Sequence, residues 1–337
     1  MRAIGYRVSG PINAHDALVE LDLPLPTPAL HDLLVVVKAI SVNPVDVKLR
    51  AGASPPKGEV RVLGFDAAGV VSAIGSAVTL FKPGDEVFYA GALDRPGTNS
   101  EAHVVDERLV GHKPRSLSFS QAAALPLTSI TAWEILFDRL AVPYGVKTQA
   151  GTLLIINGAG GVGSILTQIA RRLTGLTVVA TASRPETADW CRQMGAHHVI
   201  NHHRPFVQEL SNVGLTQVDY VAALTATDKH LTEIEAALAP QGRLVLIDDP
   251  DVLDIAKLKR KSISVHWELM FTRSLYQTPD MIEQHRLLNE VGELVDAGVL
   301  RTTLVADGGL INVDNLKRVH GFIEGGKAIG KIVLTGF

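Results

Sequence analysis

Three glycines at fixed spacing carry the clearest chemistry in this chain. Gly158, Gly160 and Gly163 lie in TLLIINGAGGVGSILTQIARR, Thr152 to Arg172, directly behind a run of buried-strand character. A G-x-G-x-x-G loop between a strand and a helix suits a dinucleotide pyrophosphate. Gly158 is expected to permit the tight turn, Gly160 to let the backbone approach the phosphates, and Gly163 to let helix pack on strand. The helix that follows sets Val162, Ile165, Leu166, Ile169 and Leu173 at helical spacing. Its first N–H groups and positive dipole end would face the phosphates.

The next strand bears on the choice of nucleotide. An NAD site places Asp or Glu about 20 residues beyond the glycines, on the ribose 2′-OH. Here the sequence reads VVATASRPE, ending the strand on Ala182, Ser183 and Arg184. Ser183 can donate to a 2′-phosphate and Arg184 can meet it as a planar fork. The alternative is a solvated arginine on an ordinary turn. NADPH is the cofactor expected.

Other residues with chemical potential are scattered. His197, His198, His202 and His203 form a dense histidine cluster, readable as metal ligands, cofactor contacts or solvated side chains. The stretch HWELMFTRSLYQTPDM holds Trp267, Met270, Phe271 and Arg273, an apolar floor with a cation for a flat substrate, or interdomain core. The only cysteine is Cys191.

The elements that position these residues fall into two textures. Residues 1–124 show short β-branched runs, Leu33 to Val37 and Gly69 to Ile74, broken by PLPTPAL and KPGDEV turns, as in a small barrel. Residues 125–267 alternate strands with helices, with strands expected at Thr152–Asn157, Thr177–Ala182, His198–Asn201, Val218–Leu224 and Arg243–Asp248. Beyond Trp267 come a helix with Met281, Leu287, Leu288, Val291, Leu294 and Val295 on one face, and a strand from Lys331 to Thr335. The fold class is therefore α/β, with a β-rich domain (1–124 and 268–337) and a doubly wound parallel-sheet domain (125–267).

Composition narrows the function classes. The 337 residues are 46% hydrophobic and 20% charged with a net charge of -3, which offers no pull toward nucleic acid or an anionic membrane. No apolar run approaches the length of a bilayer span, and the N-terminus turns polar too early for a signal peptide. One cysteine allows no internal disulfide, so a reducing cytoplasm is the expected location.

With these residues in hand, the chain resembles the medium-chain dehydrogenase/reductase superfamily along its whole length, most closely its zinc-free quinone oxidoreductase branch. AISVNPVDVKLRAG, GFDAAGVV, KPGDEV, AAALPLTSITAWEIL, the glycine loop and GKAIGKIVL carry the likeness. The resemblance implies a GroES-like catalytic domain, a Rossmann nucleotide-binding domain, an active site in the cleft between them and a homodimer. It places Asn43, Thr131, Gly160, Gly161, Val162, Ser183, Arg184, Asn201, His202, Leu224 and Lys331 along the cofactor. Two positions depart from the branch: Lys48 stands where many relatives have Tyr, and Thr187 where they often have Lys.

Zinc-dependent alcohol dehydrogenases resemble the chain too, but it has Asn43 in the region of their first Cys and Phe65 in their Gly-His-Glu element. No zinc is expected. Without a Lewis acid, a developing oxyanion would be met by Asn43, Lys48, Thr131, Arg273 or Tyr276. The expected reaction is NADPH-dependent reduction of a quinone or similar conjugated carbonyl. The alternatives are an alkenal or enoyl-thioester reductase, and a non-catalytic NADPH-binding protein.

Overall fold

The computed structural model describes residues 1–148 and 151–337. The chain divides into two compact units, Met1–Ile130 with Phe271–Phe337, and Thr131–Met270. Both crossings come a few residues later than the texture of the sequence suggested. The first falls inside a continuous helix, Pro126–Trp133, which no composition change marks.

In chain order the first unit opens with β1 (Arg2–Tyr6), β2 (Val19–Asp22), β3 (Asp32–Ser41), α1 (Pro44–Gly52), β4 (Arg61–Val62), β5 (Asp66–Ile74), β6 (Glu86–Ala90), β7 (Ala102–Asp106), β8 (Val110–His112), α2 (Phe119–Ala123) and α3 (Pro126–Trp133). The second unit continues with β9 (Thr152–Ile156), α4 (Gly161–Leu173), β10 (Thr177–Thr181), α5 (Pro185–Met194), β11 (His198–Ile200), α6 (Phe206–Asn212), β12 (Val218–Ala223), α7 (Thr227–Ala237), β13 (Leu238–Leu246) and β14 (Ser264–Trp267). The chain returns to the first unit with α8 (Thr272–Leu275), α9 (Glu283–Asp296), β15 (Leu304–Leu310), α10 (Val313–Glu324) and β16 (Lys331–Thr335).

The first unit is built on β3. Its run DLLVVVKAIS is buried at eight of ten positions because it pairs antiparallel with β5, β7 and β16 at once. The seven-stranded sheet runs β15-β16-β3-β5-β6-β8, with β7 also on β3, and a separate sheet runs β2-β1-β4. Leu33, Val35, Ile40, Val71, Val87 and Tyr89 fill its core. Two registers bring polar residues of distant strands together. Ser41 lies opposite Asp66, and Val333 lies opposite Ser41. The ends of β3, β5 and β16 therefore meet.

The second unit is a wholly parallel sheet in the order β11-β10-β9-β12-β13-β14. Counted within the unit this is 3-2-1-4-5-6, the doubly wound arrangement with its switch point between β9 and β12. β9 is buried at every position, as a central strand covered on both faces must be. Leu154, Val179, Val221, Ile234 and Leu244 lie in its core.

Four elements differ from the sequence reading. β13 starts at Leu238, earlier than Arg243, with Gln241 at φ 66° inside the run. β14 was not foreseen: SVHW is short, and its half-exposed edge position gives no apolar run. β15 was not foreseen either, since its paired glycines coincide with register shifts against β16. α9 begins at Glu283, so Met281 precedes it in a turn closed by its N–H on Thr278 O (3.0 Å), although its side chain is buried.

Candidate functional site

The glycine loop forms the strand–turn–helix that its spacing implies, with one redistribution of roles. The left-handed turn falls on Asn157, at φ 66°, rather than on Gly158. Gly158 is instead a packing glycine. A Cβ there would meet Ala180 Cβ at 2.6 Å and Cys191 Sγ at 3.1 Å. Gly163 is tighter still, its missing Cβ lying 2.4 Å from Asn157 O, so helix and strand approach at van der Waals limits. Gly160 differs from both. Its Cβ would meet only the Asn157 side-chain amide, at 3.0 Å. Gly160 caps α4, and Gly161 and Val162 begin it, all three half-buried. The first turn of α4 thus presents unencumbered backbone where an anion can approach.

The neighbouring strand ends lie on the same carboxyl edge of the sheet. Ser183 is exposed, and Arg184 is half-buried before Pro185 at the start of α5. Glu186, in the first turn of α5, pairs with Arg184, Nε to Oε1 3.3 Å. Both side chains are more than a third exposed, so the pair is worth little and a ligand phosphate can replace the carboxylate. Thr187 is spent on the cap: its hydroxyl donates to Arg184 O at 2.7 Å. Past β11, Asn201 Oδ1 accepts from the His203 N–H at 2.9 Å. His202 sits 4.5 Å from His203 and 6.1 Å from His230 by ring centroids. Burial and the neighbouring imidazoles hold His202 below the ordinary histidine value. Leu224 closes the edge after β12.

In the first unit the meeting strand ends build a buried polar centre. Lys331 is 3% exposed; its ammonium donates to Val42 O (3.2 Å) and Asn43 Oδ1 (2.5 Å) and forms an ion pair with Asp66 Oδ2 at 3.1 Å. Lys331 was expected along a cofactor; in the structure its ammonium also holds the Asn43 side chain by the bond to Oδ1. Asp66 also accepts from Ser41 Oγ and Asn43 Nδ2, each at 2.8 Å, and from Leu127 N at 2.7 Å. The Asn43 amide is thereby fixed from both ends, with one N–H not spent among the described residues. Asp46, at the third position of α1, accepts from Asn43 N (2.8 Å) and Gly64 N (2.9 Å). Burial pushes its carboxyl up to about 7 against those two bonds.

The remaining expected residues separate. Lys48 is exposed on α1, and Thr131 is buried in α3. Trp267, expected on an apolar substrate floor or in interdomain core, is 57% exposed at the end of the edge strand β14. Phe271 is buried against Phe65, with centroids 4.9 Å apart, and serves the core. Arg273 bonds Asp280 through Nε at 3.1 Å. Sequence reasoning missed Glu134, Arg139 and Glu268, which cluster in the second unit. The signal was present, because an acid inside the apolar stretch AAALPLTSITAWEIL is seldom buried without a partner.

Comparison with known proteins agrees with this geometry. Residues 29–129 match the alcohol dehydrogenase GroES-like domain, and residues 161–288 the zinc-binding dehydrogenase family. A zinc-type alcohol dehydrogenase-like protein of Staphylococcus aureus is 40% identical over 342 residues, covering 99% of this chain and all of that protein. The chain belongs to the medium-chain dehydrogenase/reductase superfamily. A Rhizobium etli protein assigned to the zinc-dependent alcohol dehydrogenases superposes with a TM-score of 0.96 at 56% identity, covering 100% of this chain and 98% of that one. The Escherichia coli quinone oxidoreductase solved with NADPH gives 0.83 at 26% identity, covering 99% and 100%. This member of the superfamily is thus an oxidoreductase of the nicotinamide-dependent kind, with a GroES-like unit and a Rossmann unit.

A zinc site needs three or four ligands from Cys, His and carboxylate. The resemblance sets Asn43 and Phe65 in the region of the zinc enzymes' ligands, and Asp66 lies 3.1 Å from the Lys331 ammonium. Among the described residues no group of three or more His, Cys, Asp or Glu could hold a metal ion.

Proposed function

We propose that this protein uses NADPH to reduce quinones or related conjugated carbonyls without a metal. The bound nicotinamide supplies a hydride; the chain supplies placement and charge. One observation carries the reading: Asp66 at the GroES-like centre is paired with Lys331, so that centre offers an oxyanion the fixed Asn43 amide and no Lewis acid. An amide stabilises a developing charge far less than a metal, which suits acceptors that delocalise charge themselves. Thr131 is the second donor we assign. The glycine loop and α4 hold the pyrophosphate, and Ser183 and Arg184 read the 2′-phosphate, with Asn201, His202 and Leu224 beside them. A second copy of the chain is the partner proposed for the open edge at β14, and the cytoplasm is the proposed location.

Arg184→Ala tests the cofactor assignment. The fork to a phosphate is charge-assisted, so its loss should weaken NADPH by about 1.5–3 kcal/mol. NADH binding should hardly change. Titration of both nucleotides decides it, and equal losses would show that Arg184 does not read the phosphate.

A further inference from the structure

The short element after α3 is a π-turn. Residues Glu134–Arg139 close with Leu140 N on Ile135 O at 2.9 Å. On an α-helix, positions five apart point about 140° away from each other. A turn closed by i→i+5 bonds brings them round to the same side, which is why π-turns collect at functional sites. Here the two residues so aligned are Glu134 and Arg139. Arg139 reaches Glu268, just past β14, with Nε 2.8 Å from Oε2, and its Nη2 lies 3.8 Å from Glu134 Oε2. The side chains of Glu134 and Glu268 are 1% and 0% exposed.

We propose that Glu134, Arg139 and Glu268 form a buried latch, two carboxyls sharing one guanidinium and one proton, that fixes Thr131 on α3 and the segment 267–270 relative to each other. The latch rests on the proposed function in that Thr131, one helical turn before Glu134, is taken as a site residue. Two carboxyls 1% and 0% exposed beside one guanidinium, itself 32% exposed, favour the proton. One guanidinium balances one carboxylate, and a second ionised carboxylate in the same buried place would be uncompensated. The surroundings agree. Burial first, then the Glu134 carboxyl, raises the Glu268 carboxyl far above its ordinary value, while Arg139 opposes the shift. The other ionisable neighbours are His266 on β14 and Arg243 on β13. Burial, Arg243 and Arg139 hold His266 below the ordinary histidine value, and Arg243 donates to Leu140 O, the residue that ends the π-turn.

A shared proton fixes the sign of the pH dependence. A carboxyl that keeps its proton in the folded state but loses it on unfolding contributes stability at low pH, lost as pH rises through its folded value. Glutamine is the permanent neutral isostere. Thermal melting of the full-length protein across the neutral and alkaline range should therefore fall steeply for wild type and distinctly less for Glu268→Gln. Turnover should separate the variants in another way. Glu268→Gln should stay within about twofold of wild type, whereas Glu268→Ala should lose about 10- to 100-fold in kcat, the scale of a misplaced site group. The NADPH dissociation constant should move less than kcat. Glu134→Gln with Glu268→Gln, leaving the half-buried Arg139 with neither of these carboxylates, should melt lower than either single variant. Parallel melting profiles for wild type and Glu268→Gln would overturn the shared proton. Equal kcat in Glu268→Ala and Glu268→Gln would overturn the positioning role. Wild-type protein that reduced no acceptor would sink the proposed function, and the melting profiles would still decide the latch.

Discussion

Valine at Gly160 is expected to abolish nucleotide binding while leaving the fold intact, and valine at Gly163 to destabilise the fold itself. The missing Cβ at Gly160 would touch only the far end of the Asn157 side chain, which can rotate away. The branched group would then stand over the first turn of α4, where the pyrophosphate must approach the backbone. At Gly163 the same group would be driven into Asn157 O and the Gly158 backbone, at 2.4 and 2.7 Å. Neither can yield without parting α4 from β9. Overpacking of this kind costs about 1–3 kcal/mol or more. NADPH should raise the melting temperature of wild type, as any ligand specific to the native state does. It should leave Gly160→Val unmoved at a melting temperature near that of the unliganded wild type. A Gly160→Val protein still stabilised by NADPH would show that the pyrophosphate lies elsewhere.

Lys331→Met should carry the largest stability loss of any single substitution at the polar centre. Methionine has similar volume and no charge, so the packing survives and the ion pair does not. Asp66 would remain 0% exposed with its bonds from Ser41, Asn43 and Leu127 but no counter-charge. Removing one partner of such a pair typically costs about 3–5 kcal/mol. Asp66→Asn in the same background should recover part of it, because the uncompensated charge is gone and the two sites are coupled. Denaturant unfolding measures both. A loss under about 1 kcal/mol would mean that Asp66 is not an ionised partner of Lys331. Because Lys331 also holds Asn43 Oδ1, turnover should fall in this variant even where the protein is fully folded.

Which features were legible in the sequence has a physical basis. The glycine loop was legible because its chemistry needs three small residues at set spacing, and local sequence alone supplies them. The doubly wound sheet was legible because strands buried on both faces read as apolar runs, as β9 and β12 do. The division of labour within the loop was not legible. Whether Asn157 or Gly158 takes the left-handed turn depends on Ala180 and Cys191, more than twenty residues on. The Lys331–Asn43 contact joins residues 288 apart, and only the registers of β3, β5 and β16 bring them together. A resemblance could put Lys331 near a cofactor, but could not say that its ammonium bonds Val42 O and Asn43 Oδ1. Arg139 is a similar case, since an i→i+5 turn has no sequence signature comparable to a helix cap. The exposure of Trp267 was not legible, because it follows from the edge position of its strand.

The most direct test of the central claim is a single acceptor panel. Initial rates of NADPH oxidation by purified protein would be measured with 1,4-benzoquinones, enones, cyclohexanone and a simple aldehyde, with and without chelator. One missing oxyanion donor costs about 10²–10³ in rate, and a missing Lewis acid at least as much for an isolated carbonyl. The account predicts conjugated acceptors reduced faster than the simple carbonyls by that factor or more, with rates unchanged by chelator. Ready turnover of cyclohexanone or the aldehyde, lost on chelation and restored by zinc, would contradict it.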